Sequence, residues 1–333
     1  MKLRKLGWML YYPLVTLLLL EAALWLLAYR PYQHQSFRVE ASPSNWLEGD
    51  SIMGFRLGVG EFTLSINEGL HFKTTHLASG RRSLGLSPES SSLKVDLYGC
   101  SYTYGYGLDD SLTMGWRLAA ALPNARVRSW AVPGYGSTQA LLQLQKQMRQ
   151  LDTPDVVVIA YASFHDERNS LNAEFRRGLS LGFSQNTDSQ HIQSFRYPYL
   201  DANDQIQYQA WGGLYKHWPG RSYSALINAV QSSTEFWQKA NRDKAKRSGT
   251  VLTQIAQLCG LAGIEMIFFP LTEDEATQQL LSQMEAIELS ILDASLDLSQ
   301  TQFQNYPYDT HPNARAHAHY AGALLEYLRQ KGR

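Results

Sequence analysis

The sequence predicts a three-layer α/β/α domain with a mainly parallel sheet, preceded by an N-terminal transmembrane helix and a small β-rich lead-in. Three observations predict this fold: an apolar run close to the N-terminus, an alternation of strand and helix patterns from Leu93, and near-continuous apolar strands within that alternation. The 333 residues are 44% hydrophobic and 12% aromatic, which suits a packed core rather than a disordered chain. This length allows one large domain with an anchor, or two modest domains.

The N-terminal apolar run extends from Leu6 to Tyr29 and contains one charged residue, Glu21. As a helix, its 24 residues would measure about 36 Å, enough to cross a hydrocarbon core of about 30 Å. Basic residues precede the run, which predicts a cytoplasmic N-terminus. We therefore expect residues 1–30 to be a single-pass anchor in the inner (cytoplasmic) membrane, with the rest of the chain extracytoplasmic, in the periplasm.

A cleaved signal peptide is the alternative for this segment. Its apolar region would be shorter, about 7–15 residues, and a small-residue cleavage site would follow. Here Leu27-Ala-Tyr-Arg-Pro-Tyr32 follows instead, which favours the anchor. Glu21 inside the run is either a partner contact or a charge tolerated near a helix end.

The rest of the chain divides into a lead-in and a main domain. Residues 31–90 contain short alternating runs such as Phe62–Ile66, which predict a linker followed by a β-rich lead-in packed on the main domain. Residues 91–333 form the main domain. Within it, residues 176–246 are polar, rich in Gln, Tyr and Trp, and break the alternation. We interpret them as an insertion, partly helical from Tyr223 to Trp237, that either shapes the substrate cleft or decorates the fold.

Strand and helix patterns alternate through the main domain. The run Asp155–Tyr161 is almost entirely apolar, which is typical of a parallel strand covered on both faces. The same reasoning predicts further strands at Leu93–Tyr98, Val127–Val132 and Glu265–Pro270. Apolar periodicity predicts helices at Leu112–Leu122, Ser137–Leu151 and Thr250–Leu261.

Charge and cysteine content exclude several classes of protein. The 30 basic and 30 acidic residues cancel, so no basic surface for nucleic acid is expected. Cys100 and Cys259 cannot form a disulfide framework, and one bridge between them is disfavoured because Cys100 lies within a motif. The C-terminal histidines lack the spacing and supporting ligands of a zinc site. We therefore predict neither a metal nor a cofactor.

Two motifs point to nucleophilic catalysis. Ser101 lies in Gly99-Cys-Ser-Tyr-Thr-Tyr-Gly-Tyr-Gly107, directly after the first strand of the main domain, at the edge where open α/β sheets bind ligands. Taken alone, a structural turn serine is the more common interpretation. Near the C-terminus, Asp309 precedes His311 by two residues, so its carboxylate can hold one imidazole nitrogen and leave the other free as a base. His317 and His319 are alternative bases without a preceding aspartate.

Two further segments follow strands of the same sheet. Gly134 lies in Ala131-Val-Pro-Gly-Tyr-Gly136, where a missing Cβ lets a backbone N–H approach a ligand, although Pro-Gly by itself chiefly indicates a turn. His165 lies in Ala162-Ser-Phe-His-Asp-Glu-Arg-Asn169, where a side-chain donor could complete an oxyanion hole. A surface or capping histidine is the alternative for His165.

Together, in this order, the four segments resemble the blocks of the SGNH (GDSL-like) hydrolase and acyltransferase family. The resemblance covers Leu93 to Arg329, interrupted by the insertion. It implies that Ser101 is the nucleophile and that Gly134 supplies an oxyanion N–H together with the Ser101 N–H. It also implies that His311 is the general base and that Asp309 orients it.

The sequence departs from the family pattern at three places. Cys100 stands where the family often has the Asp of Gly-Asp-Ser, a residue that is not the catalytic acid. Asp309 stands two residues before the histidine rather than three, which resembles envelope acetyltransferases. His165 stands at the third block, where the family has Asn; a neutral imidazole N–H can also donate, so we expect His165 to be the third oxyanion donor.

The resemblance and the expected topology together imply a serine-dependent esterase or acyltransferase acting on O-acyl groups of cell-envelope polysaccharide or related glycans. Partners would then include the acylated glycan, the membrane and polysaccharide-assembly proteins. Two alternatives stay open. One is a lipid esterase at the membrane surface, and the other is a non-catalytic polysaccharide-binding scaffold, which the Tyr and Trp residues between Tyr197 and Trp237 would also suit.

Overall fold

The computed structural model describes residues 2–33, 38–85, 88, 91–184, 192, 195–240 and 244–333. The chain forms two compact units. One consists of Met1–Ser36 and Tyr215–Arg242, and the other of Phe37–Leu214 and Asp243–Arg333. The end of the lead-in expected at residue 90 lies outside the described residues, as do parts of the linker and of the insertion expected at 176–246.

Strands and helices are labelled here in chain order. The strands are β1 (Val39–Ser42), β2 (Leu47–Asp50), β3 (Gly54–Leu57), β4 (Gly60–Ile66), β5 (Leu70–His76), β6 (Leu93–Tyr98), β7 (Ala125–Ser129), β8 (Val156–Tyr161), β9 (Arg196–Leu200), β10 (Ile206–Ala210), β11 (Glu265–Pro270) and β12 (Ser290–Ile291). The helices are α1 (Lys2–Leu26), α2 (Ser101–Tyr104), α3 (Met114–Ala121), α4 (Ser137–Arg149), α5 (His165–Asn169), α6 (Ala173–Ser184), α7 (Ala225–Ala240), α8 (Lys244–Leu261), α9 (Glu275–Glu285) and α10 (Ala314–Gln330).

The larger unit is built on a five-stranded parallel sheet with the order β12-β11-β8-β6-β7. Read from β7, this is the 2-1-3-4-5 order of flavodoxin-like folds, in which the chain changes direction between the first and third strands. Here those strands are β6 and β8, and all six residues of β8 are buried. The segments that follow β6 and β8 therefore lie at the position where open α/β sheets bind their ligands.

Helices cover both faces of this sheet. On one face α3 and α10 pack together, and residues such as Leu118 and Leu324 join the sheet in a buried apolar cluster. On the other face α4, α8 and α9 contribute residues such as Leu144 and Leu280 to a second cluster. The predicted three-layer α/β fold with a mainly parallel sheet is confirmed.

The lead-in contains an antiparallel sheet of order β1-β4-β5 and a two-stranded pair of β2 with β3. In β4, Phe62, Leu64 and Ile66 are buried and the intervening residues are more exposed, which is the alternation of a half-buried strand. Arg82 forms bridges to His76 of this sheet and to Ser129 of β7. The lead-in sheet thus continues the edge of the central sheet.

Several boundaries differ from those expected from periodicity. The strand predicted at Val127–Val132 spans Ala125–Ser129, and beyond its end Val132 still donates its N–H to Gly99 O. Helix α8 begins at Lys244 rather than Thr250. The last helix begins at Ala314 with Asn313 as its N-cap.

The smaller unit pairs α1 with α7. Two N–H groups of the first turn of α7, those of Ala225 and Leu226, donate to the Glu21 carboxylate at 2.8 and 2.9 Å. Ser224 Oγ donates to the same carboxylate and accepts from Ile227 N. Glu21 is therefore the cap of a helix about 200 residues further along the chain, rather than a charge that is merely tolerated.

Helix α1 includes Pro13 and exposes several leucine side chains, among them Leu18 and Leu19. Within the described part of the chain, no helix combines the length and the apolar character that are required to cross a bilayer.

Candidate active site

The segment after β6 places Ser101 at the first position of a short helix. Gly99 is required here because a Cβ would lie 2.1 Å from Thr103 Oγ1. Cys100 is the N-cap, and its Sγ accepts from Tyr102 N at 3.4 Å. The helix ends at Gly105, whose φ of 84° lies in the left-handed region that favours glycine. The motif thus makes a tight strand–turn–helix at the ligand-binding edge of the sheet, and Ser101 is 4% exposed.

Asp309 and His311 form a dyad. His311 Nδ1 lies 2.7 Å from one oxygen of the Asp309 carboxylate and 2.9 Å from the other. A carboxylate only accepts hydrogen bonds, so the tautomer that fits this contact has its proton on Nδ1 and leaves Nε2 as the base. The Asp309 side chain is 4% exposed and also accepts from Thr310 N at 2.7 Å. The two-residue spacing therefore produces the hydrogen bond that it predicts.

The dyad lies against the Ser101 segment. The His311 ring centroid is 5.3 Å from that of Tyr102 and 4.9 Å from that of Tyr106. Asn305 Nδ2 also donates to Tyr106 O at 3.3 Å, which fixes the loop before His311 on the loop after Ser101. Segments about 200 residues apart in sequence are thus adjacent, and the base lies beside the serine turn.

Gly134 lies in the loop after β7. Its φ is +88°, and its carbonyl accepts from the Tyr197 hydroxyl at 2.9 Å. The same loop is joined to the serine segment by the hydrogen bond from Val132 N to Gly99 O, at 3.3 Å. Gly134 and Ser101 therefore lie on two hydrogen-bonded loops at one edge of the sheet. The role of the Gly134 N–H in an oxyanion hole stays a prediction.

His165 begins α5, directly beyond β8, and is 1% exposed. Its Nδ1 lies 3.4 Å from the hydroxyl of Ser137, the first residue of α4, and its Nε2 is buried without a partner among the described residues. Burial, and to a lesser extent the Arg168 charge, lower its pKa well below the ordinary value. The ring is therefore neutral at pH 7 and has one N–H to donate, so the capacity of a donor is present and its use stays a prediction.

The residues around His165 form a buried polar network. Asn169 accepts from Thr138 N and Thr138 Oγ1, both at 3.0 Å, and donates to Ser248 Oγ at 2.8 Å. Asp166 accepts from Tyr161 OH at 3.0 Å. This network fixes α5 against the start of α4, the helix that follows the Gly134 loop. It is a scaffold for the site and had no sequence signal beyond the polar residues themselves.

The alternative bases are placed elsewhere. His317 is fully buried, accepts from Met114 N at 3.0 Å, and has its pKa lowered to about 3 by burial and by nearby positive charges. His319 Nε2 lies 3.2 Å from Ala294 O. Cys100 and Cys259 are both free and buried. Among the described residues, no group of His, Cys, Asp or Glu has an arrangement that could hold a metal ion.

One well-defined cavity lies away from the site. Its volume is about 550 Å³, and it is lined by Leu93, Ala125 and Asp155 together with the C-terminal Arg333. Leu93 and Ala125 begin their strands, and Asp155 precedes β8. This cavity therefore lies at the amino edge of the sheet, whereas Ser101 lies at the carboxyl edge.

No family model matches the chain, and no curated protein matches it. Several solved structures are similar to it. A psychrotrophic esterase from Pseudoalteromonas is 12% identical, with 71% of this chain and 97% of that chain covered and a TM-score of 0.41. A member of the lipolytic protein G-D-S-L family from Veillonella parvula is 10% identical, with 71% and 97% covered and a TM-score of 0.39. An acetyl xylan esterase from the rumen bacterium Butyrivibrio proteoclasticus is 12% identical, with 73% and 65% covered and a TM-score of 0.40.

Proposed function

We propose that this protein is a serine-dependent ester hydrolase or acyltransferase with Ser101 as nucleophile, His311 as general base and Asp309 as the residue that orients the base. One observation carries the proposal: His311 has its Nδ1 on the Asp309 carboxylate and its ring against Tyr102, the residue that follows Ser101. A serine, a histidine and a buried carboxylate at one site are the three groups that activate a hydroxyl when the base accepts a hydrogen bond from the serine.

The reaction would proceed through a serine ester. His311 Nε2 takes the proton of the Ser101 hydroxyl as its oxygen bonds to the ester carbonyl carbon. The oxyanion that forms is held by the N–H groups of Ser101 and Gly134, with His165 as the third donor. His311 then gives its proton to the leaving alcohol as the ester C–O bond breaks. Water or a sugar hydroxyl removes the acyl group in a second cycle of the same steps.

Labelling of the full chain with a fluorophosphonate tests this proposal, because the reagent reacts with activated serines. The wild type should be labelled and Ser101→Ala should not be, at an unchanged melting temperature. The exposed Ser111→Ala is the matched serine control and should label like the wild type. Cys100→Ala should keep most of the labelling. Loss of activity in Cys100→Ala alone would indicate a thiol mechanism and would refute the assignment of Ser101.

The finer proposal is that the ester lies on an envelope glycan and that the enzyme is anchored in the inner membrane with its site in the periplasm. The apolar run from Leu6 to Tyr29 and its basic flank support the anchor, and the resemblance supports the substrate. A reporter that is active only outside the cytoplasm, fused after Arg333, should be active. A cytoplasmic C-terminus would refute the topology, and acyl-donor profiling with and without a glycan acceptor separates esterase from transferase.

A further inference from the structure

Arg168 is a cation attached to the proposed oxyanion loop. It lies in α5, and its Nη1 donates to Tyr135 O at 2.6 Å. Tyr135 follows Gly134, and a Cβ on the next residue, Gly136, would lie 3.0 Å from Arg168 Cβ. The close approach of the two backbones fixes the guanidinium beside the loop that carries Gly134.

Aromatic contacts continue from Arg168 to the base. The guanidinium carbon lies 4.2 Å from the ring centroid of Phe164, within the range of a cation–π contact. The Phe164 ring lies 4.9 Å from Tyr102, and Tyr102 lies 5.3 Å from His311. Arg168, Phe164, Tyr102 and His311 therefore form a continuous row of contacts, with the positive charge at one end and the base at the other.

Among the described residues, Arg168 has no carboxylate as a counter-ion. Two buried arginines elsewhere in this unit pair with carboxylates: Arg82 with Asp110 at 2.7 Å and Arg128 with Asp96 at 2.6 Å. Arg168 is half-buried, and no described carboxylate forms an ion pair with it. A guanidinium has five N–H donors, and the described hydrogen bonds of Arg168 use one nitrogen, Nη1. A planar fork with donors to spare matches the geometry of a carboxylate.

We propose that Arg168 determines substrate specificity by binding a carboxylate on the acylated molecule, at a distance from the ester itself. The inference rests on the proposed esterase function and deepens it, because it assigns the substrate class as acylated acidic sugars of the uronic acid type. The ester lies at Ser101, the sugar ring packs along Tyr102 and Phe164, and the carboxylate reaches Arg168.

The test compares two substrates that differ at one carbon: an acetylated methyl glucuronoside and the matching acetylated methyl glucoside, which has no carboxylate. Both are assayed with the full chain. Arg168→Gln should lower kcat/KM for the glucuronoside by about tenfold to a hundredfold, the effect expected for a hydrogen bond to a charged group, and change that for the glucoside by no more than a few-fold. Arg168→Lys keeps the positive charge but loses the planar pair of donors, so its kcat/KM for the glucuronoside should lie between those of the wild type and Arg168→Gln. Arg117→Gln is the matched control, because Arg117 is also half-buried and donates to a backbone carbonyl, that of Leu112.

Equal losses on both substrates in Arg168→Gln and Arg168→Lys would show that Arg168 only supports the loop, and would overturn the inference. Unchanged rates on both substrates would overturn it too. Failure of the proposed function is distinguishable, because the wild type would then hydrolyse neither substrate and would not react with the fluorophosphonate. A chain that reacts with the fluorophosphonate and prefers the glucoside would overturn the inference about Arg168 while leaving the hydrolase proposal intact.

Discussion

Replacing His165 by phenylalanine separates a catalytic role of this ring from a structural one. Phenylalanine fills a similar volume and has no hydrogen-bonding groups. The ring is 1% exposed and contacts Tyr161 and Phe164, each at 5.4 Å between centroids, so an aromatic replacement suits its surroundings. The polar atoms lost are Nδ1, at 3.4 Å from Ser137 Oγ, and the buried Nε2, which has no partner among the described residues.

The structure predicts opposite effects on stability and on rate. A buried polar group without a partner costs about 1–3 kcal/mol, so its removal should leave the free energy of unfolding unchanged or raise it by up to that amount. The contact of Nδ1 with Ser137 is at the long limit of a hydrogen bond and should offset little of this gain. If Nε2 donates to the oxyanion, kcat should fall by about 10²–10³, equivalent to about 2.7–4 kcal/mol of transition-state stabilisation. KM should change little, because the bond strengthens in the transition state.

The assay is the hydrolysis of an aryl acetate together with thermal unfolding. His165→Asn, which restores an N–H donor, should recover much of kcat. His317→Phe is the matched control: it leaves Met114 N without its acceptor but also removes a buried Nε2 that has no partner among the described residues, so stability should change little and kcat should be kept. The reasoning is refuted if His165→Phe retains kcat within a few-fold. A capping role would instead appear as a loss of about 1 kcal/mol in stability with kcat nearly unchanged.

Three further predictions concern the dyad, the serine turn and acid stability. Asp309→Asn should lower kcat by about 10³–10⁴ with little change in melting temperature, because an amide favours the wrong tautomer of His311; a smaller loss in steady-state assays would contradict this. Gly99→Ala should destabilise the fold by about 1–3 kcal/mol in urea unfolding, whereas Gly322→Ala, with no atom within 4 Å of its Cβ, should not. Burial lowers the pKa of three histidines below the ordinary 6.5, so the unfolded chain binds more protons and stability is lost as the pH falls below about 6.5. Between pH 7 and pH 5, each of His76, His165 and His317 should lower the free energy of unfolding by about 2 kcal/mol. Equal melting temperatures at pH 7 and pH 5 would refute this prediction for the three histidines.

The strands of the central sheet were predictable because their pattern is local. Leu93–Tyr98 and Glu265–Pro270 have the bounds that their apolar runs predict, since parallel strands buried on both faces have few polar residues. The start of α8 was missed for the opposite reason. Arg247 and Ser248 are buried, and Ser248 Oγ accepts a hydrogen bond from Asn169. Polar residues therefore occupy buried positions of the helix, where an apolar pattern is expected.

Part of the candidate site could likewise be predicted from local sequence, and part could not. The serine turn and the Asp309–His311 hydrogen bond depend on short spacings that can be read along the chain. The proximity of Tyr102 and Phe164, and the placement of Arg168 against Tyr135, depend on the order of the sheet and on side-chain orientation. In sequence, Arg168 lies in a run of charged residues that is typical of a solvated helix, and nothing there distinguishes it from its neighbours.

Because Glu21 caps α7, any deletion of α1 should weaken α7. Helices α1 and α7 are separated in sequence by the serine turn and most of the central sheet. The first turn of α7 nevertheless depends on a carboxylate from α1. A fragment that begins after residue 30 would leave that turn without its acceptor, at a cost of about 0.5–2 kcal/mol for a lost cap. Among related proteins, α1 and α7 should therefore be either both present or both absent, because α7 depends on α1 for its cap. In an alignment of related sequences, covariation between position 21 and the turn at Ser224 would be evidence of this dependence.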